Sequence, residues 1–571
     1  MVMQALLRKA GHILEDPVLR RWLLRRIAGL EKSPVAFDAG RPPYLSAVRE
    51  NRSAEAGQSF MLDFPTGQFS LPSASIQIDL PGKSVDLDPE KPEVLFTRSY
   101  DDLETLLAAH RFAWVPIAGD AINPDWVALL WGVWCDRFGH ETSGWPWHAY
   151  TAAERAINLI DFSRRFGLPG DPNETSRVLL LHAEIIRDNL EYFGEHYTSN
   201  HLSNNGRGLL RIGTALGRMD HAETGAQIMV AEAGRIFGRS GVLREGSTHY
   251  HLLVTRNYID AWIDAAAAGL DHAGVLRDIA ERALSVIPGL CLPGGMPLIG
   301  DISPDIPPDQ LGRLIGVSGE GGWPVNLAGD RRREALAFIS DSIAVLPDKL
   351  AADGWHRMGV HQWHALTFVP ADGWSPMPGH GHEDLGSFEL HDGARPVIVD
   401  PGRGSYNDTE YSRARLHNYL TIDDAGPVAI NRAYYSDAYR SRVIGAAPEM
   451  SRTKTGGILR SEGFDRLRGV GAVEREWRFL EDRVEIVDRV AGSGKHRVQR
   501  RFHTMADSRE TVTGATLEFD GAMYDVSSDC QPTVTESAGY TEYGRAHPGH
   551  QILFDQTVSL PFESVTTIAR L

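Results

Sequence analysis

The sequence predicts an α+β chain in which a helical half is followed by an antiparallel β half. Between about residues 100 and 345, apolar residues recur at helical spacing between capping residues and Gly or Pro stops. From about Trp355 the segments become short, alternating and rich in β-branched and aromatic residues. The 571 residues are 42% hydrophobic and 23% charged, enough for several domains with their own cores. That composition excludes a largely disordered, collagen-like or coiled-coil chain.

The elements are expected as follows. Residues 1–95 form an N-terminal helix and an irregular wrap. Met1 to Leu30 interleaves Arg8, Lys9, Arg20, Arg21, Arg25 and Arg26 with short apolar patches. Charge breaks every apolar stretch, so this is not a signal peptide. It fits an amphipathic helix, either structural or lying on a membrane surface. Residues 31–95, rich in Pro, Gly and Ser, fit no regular element. The helical domain spans 96–345. Asp171-Pro172-Asn173-Glu174 offers an N-cap acid, Pro at the first helical position and a third-position acid. Further helices are expected over Ala121 to Phe138, Tyr150 to Phe166, Gly206 to Leu216, Ala222 to Phe237 and His249 to Ala268. Another follows the spacing of Val275, Leu276, Ile279, Ala283 and Val286, with Pro288-Gly289 as its stop. Short turns between them suggest stacked antiparallel hairpins; no repeat of fixed period supports a regular solenoid.

The boundary is expected near Leu346-Pro347-Asp348-Lys349, with the β domain over 355–571. One hairpin is expected from Val473, Arg475, Trp477 and Phe479, the turn Glu481-Asp482-Arg483, and Val484, Ile486 and Val490. Another runs from Ser387 to His391, turns at Asp392-Gly393 and returns from Pro396 to Asp400. Gln551 to Leu571 reads as closing strands.

A net charge of -17 argues against a nucleic-acid partner, which needs phosphate-neutralising surface. Cys135, Cys291 and Cys530 lie far apart, excluding a disulfide framework and a cysteine metal site. No apolar run reaches transmembrane length. Without a cleavable signal the expected compartment is the cytoplasm, with the periplasm as alternative.

Three clusters could carry chemistry. In Pro378-Gly379-His380-Gly381-His382-Glu383-Asp384, two His at i and i+2 share one face if the segment is a strand. A hairpin would bring Asp400 within reach of His382, and Arg415-Leu416-His417-Asn418 begins another strand-like stretch. Two imidazoles and a carboxylate suit zinc; the plain alternative is a chance pair on a solvated loop. In Ser199-Asn200-His201-Leu202-Ser203-Asn204-Asn205-Gly206, between two helices, Asn200 offers an amide and His201 a titratable imidazole, although such residues also cap helices. In Arg244-Glu245-Gly246-Ser247-Thr248-His249-Tyr250-His251, Tyr250 is either a core aromatic or a phenol aimed into a cleft.

Together these residues resemble the heparinase II/III-like polysaccharide lyases and their alginate-lyase relatives. The resemblance runs from about Trp145 to Asp423 and is most specific at His380-Gly381-His382, Val399-Asp400-Pro401-Gly402 and His417-Asn418. It implies an incomplete (α/α) toroid followed by an antiparallel β-sandwich. It also implies β-elimination on a glycan that contains uronic acid. Asn200 resembles the amide that helps neutralise the uronate carboxylate, His201 and Tyr250 the proton-transfer pair, and His380 the imidazole supplied by the β domain. His382, Asp400 and His417 resemble the ligands of one structural zinc per chain. Some members carry Glu three residues after the first His; here that residue is Asn204. The glycan is thus left open between glycosaminoglycan, alginate-like and bacterial exopolysaccharide. Two alternatives stand beside the lyase: a glycoside hydrolase using Glu245 and Asp301, and a non-catalytic glycan-binding protein of exopolysaccharide assembly.

Overall fold

The computed structural model describes residues 17–31, 40–47, 64–194, 199–318, 321–342, 347–370, 379–428 and 446–571. Its first half is helical and its second half antiparallel β. Of the N-terminal segment, Pro17–Ile27 is a helix whose Trp22 is buried while Leu24 and Ile27 are exposed; Arg8 and Lys9 lie outside the described residues. The expectation of an irregular wrap over 31–95 is corrected in part. Strands Ile76–Leu80 and Lys83–Leu87 pair as a hairpin whose buried Ile78, Leu80, Val85 and Leu87 face the first helices. Alternation was present there, but the flanking Pro and Gly obscured it.

The helices begin where their caps put them. Asp171 Oδ1 accepts from the backbone N–H groups of Asn173 (3.0 Å) and Glu174 (2.9 Å), opening Pro172–Asp188. Ser199 caps Asn200–Ala215 and Ser247 caps Thr248–Ala267. The polar cluster after Ser199 is therefore not a linker between helices, as expected, but the first two turns of one. Its Asn and Ser residues, weak helix formers, hid the true start. Pro288-Gly289 does not end the fold's helical course either, since Ile287–Leu290 forms one short turn after Ala273–Ser285.

Small residues let these helices approach closely. A Cβ on Gly225 would lie 2.4 Å from the Gly206 carbonyl oxygen, so Asn200–Ala215 and Met219–Ile236 meet backbone to backbone. On its other side Asn200–Ala215 carries buried Arg207, paired with Glu154 (2.9 Å) and Asp260 (3.3 Å), and Arg211, paired with Asp264 (2.8 Å). These charges tie it to Ala149–Phe166 and Thr248–Ala267. Among the described residues, no helix is long and apolar enough to cross a membrane.

The β half follows a 3-10 turn, Pro347–Asp353. Its smaller sheet orders Trp355–Val360, Trp363–Phe368, Phe388–Asp392 and Arg395–Ile398. The larger sheet is built on the long pair Arg483–Thr504 and Arg545–Arg570. One core holds Trp363, Leu390 and Ile398 of the first together with Trp477, Ile486, Phe502 and Phe554 of the second. The expected hairpin at 473–490 pairs Trp477 with Ile486, and Leu480 N–H donates to Arg483 O across the turn. Its Arg475 faces inward, fully buried against Asp488 (2.7 Å). From there Arg475 also donates to the Asn418 carbonyl (2.6 Å), fastening the sandwich to the chain beside His417.

Candidate active site between the two halves

Three loops converge where the halves meet. His380 N–H donates to the Glu245 carbonyl (3.0 Å), and Asp301 N–H donates to the His380 carbonyl (2.8 Å). The approach is close enough that a Cβ on Gly300, itself at φ +81°, would lie 2.4 Å from the Gly246 carbonyl oxygen. The His380-Gly381-His382 segment is not a strand, contrary to expectation. It is a loop, extended by its main-chain bonds to the helical half rather than by a sheet partner. Asp400 likewise lies two residues past the end of Arg395–Ile398.

This stitching lays the His380 ring over Tyr250, with centroids 3.5 Å apart and planes 10° off parallel. His380 sits between two carboxylates. Its Nδ1 is 3.1 Å from Asp301 Oδ2 and its Nε2 is 3.3 Å from Glu245 Oε2. Asp301 also accepts from His382 Nε2 (2.8 Å) and from Arg403 (3.0 Å); although burial opposes the charge, His380, His382 and Arg403 together hold its carboxyl far below the usual range. Glu245 reaches the other way, accepting from Asn200 N–H at 2.6 Å. A carboxylate there sits at the positive end of helix Asn200–Ala215.

Tyr250 hydroxyl lies 2.5 Å from that of Tyr406. Burial raises both phenols well above the ordinary value near 10, with nearby Asp305 adding to the rise at Tyr250. The two hydroxyls share one hydrogen bond, in which either oxygen can be the donor. Asp102, the N-cap of Leu103–Arg111, accepts from Ser405 Oγ (2.6 Å) and Tyr543 hydroxyl (3.0 Å), so the helical half also holds the loop bearing Tyr406.

His201 occupies the other side. Its Nδ1 donates to Glu191 Oε1 at 2.7 Å and its ring lies 4.7 Å from that of Tyr150. Tyr150 hydroxyl donates to Asp305, which also pairs with Arg111, each at 2.7 Å. Asn200 is buried with its Oδ1 unpartnered. One carboxylate, Glu245, thus bridges Asn200 to His380, and all four residues expected to be catalytic converge on one region.

The three expected metal ligands also meet. One ligand atom each of His382, Asp400 and His417 fall within 4.8 Å of one another, all buried. His417 Nδ1 donates to Asp400 Oδ2 at 2.8 Å, while His417 Nε2 and His382 Nδ1 have no partner. Two sealed, unused imidazole nitrogens beside a carboxylate fit a divalent cation of zinc's preferences. Asp384 lies beside the same three groups, and burial raises its pKa to about 6.

Sequence reasoning missed Glu191, Tyr406, Arg403 and Asp305, and considered Asp301 only as a carboxylate of the hydrolase alternative, whereas it lies against His380 and His382. Glu191 and Tyr406 sit in irregular segments with no periodic or spacing signal. The Pro401-Gly402-Arg403-Gly404-Ser405-Tyr406 stretch after Asp400 is Gly-rich, the one feature that could have flagged Arg403 and Tyr406.

Comparison with known proteins agrees with this architecture. Residues 347–567 match the family model described as "Heparinase II/III-like, C-terminal". No curated protein matches the chain. A crystal structure of a heparinase III superposes with a TM-score of 0.60 at 16% identity, covering 84% of this chain and 79% of that one. A mutant of the heparan sulfate lyase HepC from Pedobacter heparinus gives 0.53 at 14% identity, covering 86% and 81%. At these identities the likeness is one of fold: a helical toroid followed by a β-sandwich, as the resemblance implied. Residues 347–567 thus match the heparinase II/III-like C-terminal domain, and the chain shares the fold of these two lyases over most of its length.

Proposed function

We propose that the protein cleaves a uronate-containing polysaccharide by β-elimination, leaving an unsaturated uronide. The observation that carries this is the stacking of Tyr250, from the helical half, on His380, from the β half. The C5 proton of a uronate is only weakly acidic, and its removal creates an enolate-like dianion. Charge must therefore be met first, and stabilising developing charge is often the largest catalytic contribution. Asn200, through the amide N–H group, and the His201 imidazole receive the carboxylate, while His380, flanked at its two nitrogens by Asp301 and Glu245, stays packed on Tyr250.

Tyr250 is the group to move the proton. Its own proton passes to solvent as the substrate binds, and Tyr250 as phenolate then takes the C5 proton while the electron pair of that C–H bond forms the C4–C5 double bond and the C4–O4 bond breaks. It then returns the proton to O4. Tyr406, donating to Tyr250, and the His380 ring beneath it stabilise the transient phenolate. Positioned proton transfer of this kind is worth roughly 100- to 10,000-fold. His382, Asp400 and His417 would hold one zinc, which when bound fixes the His380 loop against the sandwich. The hydrolase alternative is disfavoured because Glu245 and Asp301 both hold His380 rather than flank open space.

The test is a panel of uronate polymers followed in the near-ultraviolet, where the new double bond absorbs, with mass spectrometry in heavy-oxygen water. Unsaturated ends without solvent oxygen are expected. Solvent oxygen at the cleaved bond would mean hydrolysis and end the proposal; tight binding without cleavage would favour the binding-protein alternative.

A further inference from the structure

Glu191 lies beyond the end of helix Pro172–Asp188, with its carboxylate 8% exposed. Asn205, one turn after His201 on helix Asn200–Ala215, grips it twice. Asn205 Oδ1 accepts from Glu191 N–H (2.9 Å), and Asn205 Nδ2 donates to Glu191 Oε2 (3.0 Å). The first bond fixes which way the amide points, and the second then occupies one carboxylate oxygen. Only Oε1 is left for the imidazoles. It accepts from His201 Nδ1 at 2.7 Å, with His148 Nε2 at 3.7 Å. Because a carboxylate only accepts, His201 Nδ1 must carry a hydrogen. The His201 side chain is 41% exposed, so its ring stays accessible.

We propose that Glu191, locked by Asn205, is a positioning residue that keeps His201 an imidazolium, so that His201 offers a charged N–H to the substrate carboxylate and does not serve as the base. The proposal rests on the lyase function argued above and assigns its proton abstraction away from His201.

The groups facing His201 come from several elements, and their sum favours the cation. Burial opposes the charge, and Arg111 opposes it too. Arg111 is itself paired with Asp305 (2.7 Å) and Glu104 (3.0 Å), which blunts its field. Glu191 favours the charge through both its field and its hydrogen bond, and Glu245 adds to it, so the imidazole is raised above its ordinary value. His148 competes for the same Oε1 but at the longer distance. Tyr150 packs its ring on His201 while its hydroxyl is spent on Asp305. Charge-assisted donors bind carboxylates about twice as strongly as neutral ones, which is what an enolate-forming site needs.

The test uses the full-length protein and does not depend on turnover. Diethyl pyrocarbonate acylates neutral imidazole, so peptide-resolved mass spectrometry of its reaction with His201 across pH reads that residue's protonation. Glu191→Gln keeps the shape and an accepting oxygen but removes the charge. Its His201 midpoint is expected to fall by roughly 1–3 pH units, the span of an adjacent opposite charge. His361, exposed on the turn before strand Trp363–Phe368, serves as the unchanged internal control. On any cleaved polymer, KM should rise more than kcat falls. An unchanged His201 midpoint, even with a lowered melting temperature, would make Glu191 merely structural and overturn the proposal. If Glu191→Gln fails to fold, the wild-type titration decides: a His201 midpoint at or below about 6.5 refutes it. Failure of the lyase function would show as absent unsaturated product with the midpoint shift intact, so the two failures are separable.

Discussion

Two imidazole–carboxylate pairs of almost the same length lie in this molecule and do different work. His201–Glu191 spans 2.7 Å with the imidazole 41% exposed; His417–Asp400 spans 2.8 Å with the imidazole fully buried. Each carboxylate raises its partner's basicity against the opposing effect of burial. The difference is where the second nitrogen goes. In the sealed pair it is unpartnered beside an unused imidazole nitrogen of His382, the arrangement that the proposed zinc would fill. In the open pair the ring remains accessible, where an anionic substrate can reach it. Access, rather than the pair itself, separates the proposed metal site from the proposed substrate-facing one.

The largest effect should come from the open region. Tyr250→Phe removes one oxygen and keeps the ring on His380, so the fold should survive. We expect kcat to fall by roughly 100- to 10,000-fold with the melting temperature nearly unchanged. His380→Ala should lose as much, and the double variant far less than the product, because groups acting as a unit are not additive. Turnover like the wild type in Tyr250→Phe would remove this residue from the mechanism.

The sealed region should answer in stability instead. His417→Ala leaves Asp400 buried without its partner, and breaking such a pair costs about 3–5 kcal/mol. Elemental analysis of protein purified without added metal should find one zinc per chain in the wild type and none in the variant, with a clear drop in melting temperature. A wild type that is metal-free and fully stable would rule out the site.

How much of this was legible follows from the kind of signal each part leaves. Helices announced by caps, such as Asp171 before Pro172–Asp188, and strands with clean alternation, such as 473–479, are local statements and could be read directly. His380, His382, Asp400 and His417 were legible because their motif is compact. His380 and His382 were nevertheless placed on a strand, because spacing alone does not distinguish a strand from a loop held extended by a neighbouring domain. Glu191, Tyr406 and Asp301 acquire their roles only through contacts across 10, 156 and 79 positions, with His201, Tyr250 and His380 respectively. No local pattern encodes such distances.

The smallest expected effect is also the one that isolates the open pair without substrate. In the folded protein Glu191 is lowered to about 2 by His201 and Asn205 although burial opposes this, and His201 is raised above 6.5. A lowered carboxylate stabilises the fold above its unfolded value near 4.5 and loses that contribution as pH falls toward 2. A raised imidazole stabilises below its unfolded value near 6.5 and loses that contribution as pH rises through the folded one. Both contributions are fully present only between about 4.5 and 6.5. The melting-temperature difference between wild type and Glu191→Gln should therefore peak in that window and shrink on either side. The half-exposed imidazole keeps the peak modest, since solvent screens such pairs. In the sealed pair His417 is raised and Asp400 lowered likewise, but a cation held by the unused nitrogens would disfavour the imidazolium and flatten the response. A difference between wild type and Glu191→Gln that stays flat from pH 4 to 9 would mean that His201 is neutral at rest, and would erase the contrast between the two pairs.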